Sequence, residues 1–147
     1  MKLNKVLCVL CLTVTVLFTG CTSKAVYEDY HNEVNALYEK IVSTDAKINN
    51  IDTESEESVE SMFESLESLR LSFSDFAAID PPEEFADCQY LAENAAKYVE
   101  ISEQYFHEAL DGEYDDTSFK NGIANYNEVV KCVNYMGDVL QNKAVEK

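Results

Sequence analysis

The sequence predicts an all-α fold, an antiparallel up-down-up-down four-helix bundle that follows an apolar N-terminal segment. From Thr22 onward the chain contains only three glycines and two adjacent prolines. So few helix breakers argue against a β-rich domain and favour long helices. Apolar residues recur at spacings of three and four, as they do on one face of a helix. The 127 residues after position 20 are enough for one domain with a core, so we predict a single bundle over 21–147.

The first two helices are predicted on either side of a weak break at residues 49–52. The first runs from about Ser23 to Ile51, and the second opens near Thr53, which forms a capping box with Glu56. The first apolar stripe comprises Tyr27, Tyr30, Val34, Leu37, Ile41, Thr44, Ile48 and Ile51. The second comprises Val59, Met62, Leu66, Leu69, Phe73 and Phe76. The break contains neither glycine nor proline. If it fails, the two helices fuse and the chain needs a partner to cover its stripe.

The third and fourth helices have stronger boundary signals. Asp80 is predicted to cap the third helix, whose first turn accepts proline, and Asp111-Gly112 ends it. Residues 115–117 supply the cap of the fourth helix. The third stripe comprises Phe85, Cys88, Ala92, Ala95, Val99, Ser102, Phe106 and Ala109. The fourth comprises Phe119, Ile123, Tyr126, Val130, Val133, Gly137 and Leu140, with Val129 and Met136 alongside. The small residues predicted to admit neighbouring aromatic rings are Ala92, Ala95, Ala109 and Gly137.

The first 21 residues have the composition of a secretory signal. Lys2 and Lys5 precede an apolar run that ends at Phe18, shorter than the ~20 residues of a membrane-spanning helix. The run closes with Leu-Phe-Thr-Gly-Cys, residues 17–21, which resembles the lipobox of bacterial lipoproteins. The resemblance implies that a signal peptide, residues 1–20, is cleaved and that Cys21 carries a lipid anchor built from diacylglycerol and fatty acids such as palmitate. The alternative is an ordinary secretory signal in which Cys21 is incidental.

The chain that remains after cleavage is strongly acidic. The signal segment carries two lysines and no acidic residue, so nine basic and 28 acidic residues remain, a formal charge of −19. Such a domain does not neutralise phosphates, so nucleic acid is not expected as a partner, and anionic lipid headgroups repel it. Membrane attachment then depends on the acyl chains at Cys21. We therefore predict a lipid-anchored domain on the extracytoplasmic face of the cell membrane.

Two cysteines, Cys88 and Cys132, remain once the signal is removed and Cys21 takes the lipid. Outside the cytoplasm such a pair favours a disulfide. In a hairpin that turns between residues 111 and 117, facing residue numbers sum to about 228, which offsets the two cysteines by ~12 Å along the helix axes. A disulfide requires Cα atoms within ~7 Å. The offset favours free thiols, with Cys88 in the apolar stripe and Cys132 outside it, and a Cys88–Cys132 disulfide stays open as the alternative.

No pattern of residues in the sequence indicates catalysis or a metal site. Glu28 and His31 form one Glu-x-x-His pair, but a di-iron bundle needs two, and His107 has no glutamate three residues before it. No zinc spacing, nucleophile turn or phosphate loop occurs. Arg70, the only arginine, either holds an anion or, as its spacing from Glu67 favours, forms an ion pair. We therefore predict a protein that is not an enzyme and that holds no metal or other cofactor.

Exposed acidic and aromatic residues lead to the predicted function. The second helix carries on its outer face Glu57, Glu60, Glu64 and Glu67, which are either solvated or presented to a basic partner. Tyrosines outside the stripes suit a recognition surface; they are Tyr38, Tyr90, Tyr114 and Tyr135. We predict a non-catalytic protein-interaction module that binds another protein of the cell envelope. The alternative is binding of a small molecule or metal ion, against which the apolar interior argues.

Overall fold

The structure, a computed structural model, describes residues 28–145, except the side chains of Glu84 and of residues 142–145. This part of the chain forms four α-helices and no strand: α1 (28–49), α2 (Glu56–Ala77), α3 (Ala86–Leu110) and α4 (Asp116–Val145). A 3-10 turn, Glu83–Phe85, precedes α3. The predicted all-α four-helix bundle is confirmed. The predicted signal peptide, the lipid anchor at Cys21 and the start of α1 lie outside the described residues.

The chain divides into two compact units, Met1–Asn32 and Glu33–Lys147. Within the first unit, the described residues 28–32 are helical. The second unit contains the rest of α1 and the other three helices. None of the described helices combines the length and the apolar character needed to cross a membrane.

Consecutive helices of the second unit run antiparallel. Lys40 on α1 donates a hydrogen bond to Ser72 near the end of α2, and Lys47, two turns later on α1, donates to Ser65, two turns earlier on α2. The same inverse order links α2 to α3 and α3 to α4; the contacting pairs are Ala77–Gln89, Phe63–His107, Ser102–Gly122 and Phe106–Phe119. The last two pairs have residue numbers that sum to 224 and 225. The predicted register of the third and fourth helices is therefore correct to about one helical turn.

The predicted break between the first two helices is confirmed, but the residue that caps α2 differs. The N-cap is Ser55 and not Thr53, and its Oγ accepts a hydrogen bond from the backbone N–H of Ser58 at 3.3 Å. The hydroxyl of Ser58 in turn accepts from the N–H of Asp52, and the Asp52 carboxylate accepts from the N–H of Glu54. Because the aspartate side chain stabilises a turn over these residues, Thr53 lies inside the turn rather than at the helix start.

The start of α3 also differs from the prediction, whereas the start of α4 agrees with it. Pro82 has an extended backbone, ψ 148°, so the helical segment begins only after both prolines, and Asp80 lies too far away to cap it. Neither the 3-10 turn nor α3 has a side-chain cap. At α4, the Asp115 carboxylate accepts the N–H of Thr117 at 2.8 Å and the hydroxyl of Ser118 at 3.0 Å. These bonds hold the pKa of Asp115 below its usual range.

The core confirms the predicted stripe of α3, confirms that of α2 except at Val59, which is half-buried, and corrects that of α4. On α1 the buried residues of the second unit are Val34, Leu37, Ile41, Thr44 and Ile48. On α2 they are Met62, Leu66, Leu69, Phe73 and Phe76. On α3 they are Cys88, Ala92, Ala95, Val99, Ser102, Phe106 and Ala109, as predicted. On α4 they are Gly122, Tyr126, Val129, Cys132, Val133, Met136 and Leu140. The inner face of α4 is thus rotated, and Phe119, Ile123 and Val130 are only half-buried.

Gly122, and not Gly137, is the glycine that admits an aromatic ring. A Cβ built on Gly122 would lie 2.7 Å from Cε1 of Phe106, whereas a Cβ on Gly137 would meet no atom within 4 Å. The Phe106 ring is fully buried and tilts against Phe119, with ring centroids 5.1 Å apart. The carbonyl oxygen of Gly122 also accepts a hydrogen bond from Ser102 Oγ at 2.8 Å. Because Gly122 has no side chain, α4 can contact α3 this closely.

Candidate functional site

A cleft of about 420 Å³ lies between α2 and α3. Arg70 follows the buried Leu69 on α2 and so lies on the flank of the apolar stripe, half-buried. On α3, Ala96 follows the buried Ala95 in the same way and is half-buried, whereas the next residue, Lys97, is exposed. The residues that line the cleft are Arg70, Ser74, Ala77, Ala78, Glu93, Ala96, Lys97 and Glu100. Two cations, two carboxylates, one hydroxyl and three small apolar side chains thus meet in one depression.

Arg70 and Lys97 differ from the other basic side chains because neither has a close partner. Lysine and arginine side chains are described at six positions: Lys40, Lys47, Arg70, Lys97, Lys120 and Lys131. The first two donate hydrogen bonds to serines of α2, and the last two form ion pairs with Asp116 and Glu128 at 2.5 and 2.6 Å. Within the described part of the chain, Arg70 and Lys97 make no hydrogen bond and no ion pair within 4 Å through their side chains.

The ion pair expected for Arg70 is therefore not formed, although carboxylates lie nearby. Burial raises the pKa of Glu103 on α3, while the charges of His107 and Arg70 act to lower it. Glu67 and Glu100 add negative charge to the same region and raise the pKa further. The charge of Arg70 thus affects a nearby carboxyl group, although its side chain forms no ion pair within 4 Å in the described part of the chain.

His107, on α3, is held in place by contacts with two neighbouring side chains. The His107 ring stacks on Phe63 with centroids 3.9 Å apart, and its Nδ1 lies 3.1 Å from Asp111. The other histidine, His31, is exposed, as is Glu28 of the predicted Glu-x-x-His pair. No group of three or more histidine, cysteine, aspartate or glutamate residues within 28–145 is arranged to hold a metal ion.

A row of serines on α2 supplies the hydrogen-bond partners of two lysines of α1. This row was not recognised in the sequence. Lys47 donates to Ser65 Oγ at 2.5 Å and to the carbonyl oxygen of Ser61 at 3.1 Å. Lys40 donates to Ser72 Oγ. The serines recur along one flank of α2 at spacings of four and three, at Ser61, Ser65, Ser68 and Ser72. That periodicity is the signal that could have found the row, because it matches the spacing of the neighbouring apolar stripe.

The tyrosines predicted to lie outside the stripes are exposed. Tyr38 is 53 % exposed, Tyr90 65 %, Tyr114 49 % and Tyr135 59 %. Of the tyrosines predicted in the stripes, Tyr30 and Tyr126 are buried, while Tyr27 lies outside the described residues; Tyr98 on α3 is half-buried. The glutamate row lies on the outer face of α2 as predicted, because Glu57, Glu60, Glu64 and Glu67 are all exposed.

Three tyrosines of the neighbouring helices α3 and α4 are called the tyrosine surface: Tyr90, Tyr98 and Tyr135. The hydrogen bond to Glu128 raises the pKa of Lys131, and Tyr135 and Tyr98 raise it slightly further, so both tyrosines lie near this lysine. The observed register of α3 and α4 places Tyr90 at the same level as Tyr135. Two of the three rings are more than half exposed.

The two cysteines of the bundle are free thiols, and both are buried. Cys88 lies in the α3 stripe, where burial, with a smaller contribution from Asp87, raises its pKa to about 11. Cys132 is 7 % exposed and lies inside the α4 stripe, not outside it as predicted. Burial also raises the pKa of Cys132. Neither thiol has the exposed, electropositive surroundings of a reactive cysteine.

Comparison with known proteins gives one family and no function. Residues 24–144 match a family whose description is a domain of unknown function, DUF7018. The matched range contains the described part of α1, all of α2 and α3, and α4 up to its penultimate residue. Neither a curated protein nor a solved structure matches the chain.

Proposed function

We propose, from the residues of the chain itself, that this member of the DUF7018 family, a domain of unknown function, is a lipid-anchored extracytoplasmic lipoprotein. In this role it acts as a non-catalytic interaction module of the cell envelope. The anchor rests on residues 17–21 and their resemblance to a lipobox. A binding role is supported by the core, whose only buried polar residues in the described part of the chain are Thr44 and Ser102. An interior of this kind leaves binding to the outer surface.

The observation that carries the interaction role is the tyrosine surface. Tyr90 and Tyr135 are 65 % and 59 % exposed, although removing the apolar part of a phenol ring from water is favourable. Tyrosine is enriched in protein interfaces because it combines a large rigid contact area with a polar tip. Tyr98 and Lys131 extend the same surface across the α3–α4 seam.

The charge of the chain specifies the chemistry of the partner. The formal net charge at pH 7 is −17 for the full chain and −19 without residues 1–20, so a partner with a basic surface is attracted and an acidic one is repelled. We therefore propose an envelope protein that presents basic residues around an apolar or aromatic patch. Its association with this domain weakens as salt is raised, because salt screens charge attraction.

The test is chemical crosslinking of the full chain in its native membranes, followed by mass spectrometry of what is attached. The variant Tyr90→Ser with Tyr135→Ser removes the two exposed rings. Tyr38→Ser is the matched control, because Tyr38 is similarly exposed but lies on α1. We expect one protein with a basic surface to be recovered with wild type and control and lost with the double variant. No partner above background, or equal recovery with the double variant, would refute the proposal.

The lipid anchor has a separate test. Cys21→Ala removes the thiol to which the diacylglycerol group is attached, so we expect incorporation of labelled palmitate to be abolished. The protein should then accumulate as precursor or be released from the membrane. Unchanged membrane anchoring of this variant would show that the lipobox interpretation is wrong.

Small-molecule binding is the second candidate function, and the cleft between α2 and α3 favours it.

A further inference from the structure

Two unpaired cations converge on the α2–α3 cleft. The chain has 28 acidic residues, so a missing partner for Arg70 or Lys97 is not caused by a shortage of carboxylates. The four other described lysines all have hydrogen-bond partners. Arg70 and Lys97 come from different helices, yet both line this one cleft. An arginine whose guanidinium has no bonded partner keeps its five donors available for a ligand.

We propose that the cleft binds a small zwitterion, an amino acid or a short peptide with a free carboxylate and a free ammonium group. Arg70 and Lys97 hold the carboxylate, and a guanidinium suits this task because its planar fork matches the two carboxylate oxygens. Glu93 and Glu100 hold the ammonium group. This inference does not depend on the proposed interaction surface, which lies on α3 and α4.

The charges of the lining select a zwitterion over a plain anion. The lining carries two cations and two carboxylates, so its formal charge is zero. A phosphate or other doubly charged anion would be repelled by Glu93 and Glu100 and by the net charge of −17. A molecule with one positive and one negative group meets an opposite charge at both ends.

The apolar part of the lining and the size of the cleft indicate small side chains. Ala77, Ala78 and Ala96 contribute methyl groups, and Ser74 adds one hydroxyl donor and acceptor. The volume of about 420 Å³ falls within the ~300–1,000 Å³ of typical ligand sites. Alanine and short alanine peptides therefore make suitable probes, since their methyl groups match the alanines of the cleft.

Isothermal titration calorimetry of the purified full chain in detergent micelles tests the proposal. The ligands are free L-alanine, trialanine, N-acetyl-trialanine and trialanine amide. We expect saturable binding of the zwitterionic probes, and binding at least about tenfold weaker when either the ammonium or the carboxylate is blocked. Tighter binding of alanine identifies a free amino acid as the ligand, and tighter binding of trialanine identifies a peptide.

Variants of the two cations give an independent measurement. Arg70→Gln and Lys97→Gln should each weaken trialanine binding at least about tenfold. Lys120→Gln, an exposed lysine on α4, should leave it unchanged. The absence of saturable heat with every probe, or equal binding of N-acetyl-trialanine, overturns the proposal. So does unaltered binding by both cleft variants. The comparison of blocked and free ligands uses only wild-type protein, so it stands even if a variant fails to fold.

Discussion

Replacing Gly122 with alanine has two effects of opposite sign on the stability of the fold. Gly122 lies inside α4, where a glycine-to-alanine change favours the helix by ~1 kcal/mol. The new methyl group would lie 2.7, 2.8 and 3.0 Å from three atoms of the Phe106 ring. Carbon atoms pack best at about 3.5–4.0 Å, so the ring must move by roughly 1 Å.

The close contact outweighs the gain in helix propensity because Phe106 has little room to move. Its ring is fully buried and packs against Phe119, a contact that a displacement would disturb. The hydrogen bond of 2.8 Å from Ser102 Oγ to the Gly122 carbonyl oxygen holds the two helices together at the same point. Overpacking of this kind costs ~1–3 kcal/mol. We therefore expect Gly122→Ala to lower the free energy of unfolding by up to about 2 kcal/mol, the difference between these two effects, and the Tm by up to about 8 °C.

Gly137→Ala is the matched control, since it makes the same change in the same helix where a Cβ meets no atom within 4 Å. Only the propensity effect remains there, so we expect stability to rise by up to ~1 kcal/mol. Thermal unfolding followed by circular dichroism measures both variants. Adding Phe106→Leu to Gly122→Ala should leave the methyl group less destabilising than it is alone, which a double-mutant cycle reports. If Gly122→Ala is as stable as Gly137→Ala, the close approach of α4 to the Phe106 ring is wrong.

Three further predictions test the core, one helix contact and one carboxyl group. Leu66→Asp places an unpaired charge at a fully buried position, so we expect no cooperative thermal transition, and an unchanged Tm would contradict the core assignment. Tyr126→Phe removes the hydrogen bond of 2.7 Å from the phenol to the Ile41 carbonyl oxygen and should lower the free energy of unfolding in urea by ~1 kcal/mol; an unaltered midpoint would refute this contribution. Burial raises the pKa of Glu103, so its ionisation disfavours the fold as pH rises through the folded-state value. Glu103→Gln should therefore raise the Tm at pH 7 and lose this advantage near pH 4, unlike the exposed control Glu108→Gln; an effect independent of pH would show that the burial of Glu103 does not matter.

Periodicity in the sequence predicted α3 more accurately than α4, and the reason lies in the width of their apolar faces. On α3 no two buried residues are adjacent in the sequence, so the buried residues form one narrow stripe. On α4, adjacent pairs such as Val129–Val130 and Cys132–Val133 are both apolar. A broad apolar face does not determine which side points inward. That choice depends on the partner helix, where the Phe106 ring requires the space above Gly122.

Helix boundaries were predicted well where one residue sets them and poorly where several cooperate. Asp115 caps α4 alone, as its carboxylate accepts hydrogen bonds from the first turn. At the start of α2, Ser55, Ser58 and Asp52 act together, so the simple Thr53–Glu56 pattern gave the wrong cap. Local spacing rules treat each candidate separately and do not include such reciprocal bonds.

The cleft between α2 and α3 was not predictable from the sequence, because its character depends on which charges are not paired. Spacing assigned Arg70 to Glu67, yet the structure gives Arg70 no ion pair within 4 Å in the described part of the chain. The two lysines of α1 have no acidic residue three or four positions away and donate to serines of α2, a pairing that spacing along one helix does not show. Sequence identifies which residues carry charge, but tertiary packing decides which charges meet. Arg70 and Lys97 have no close partner in the described part of a chain rich in carboxylates and line the same cleft, and this arrangement is the basis of the proposed carboxylate site.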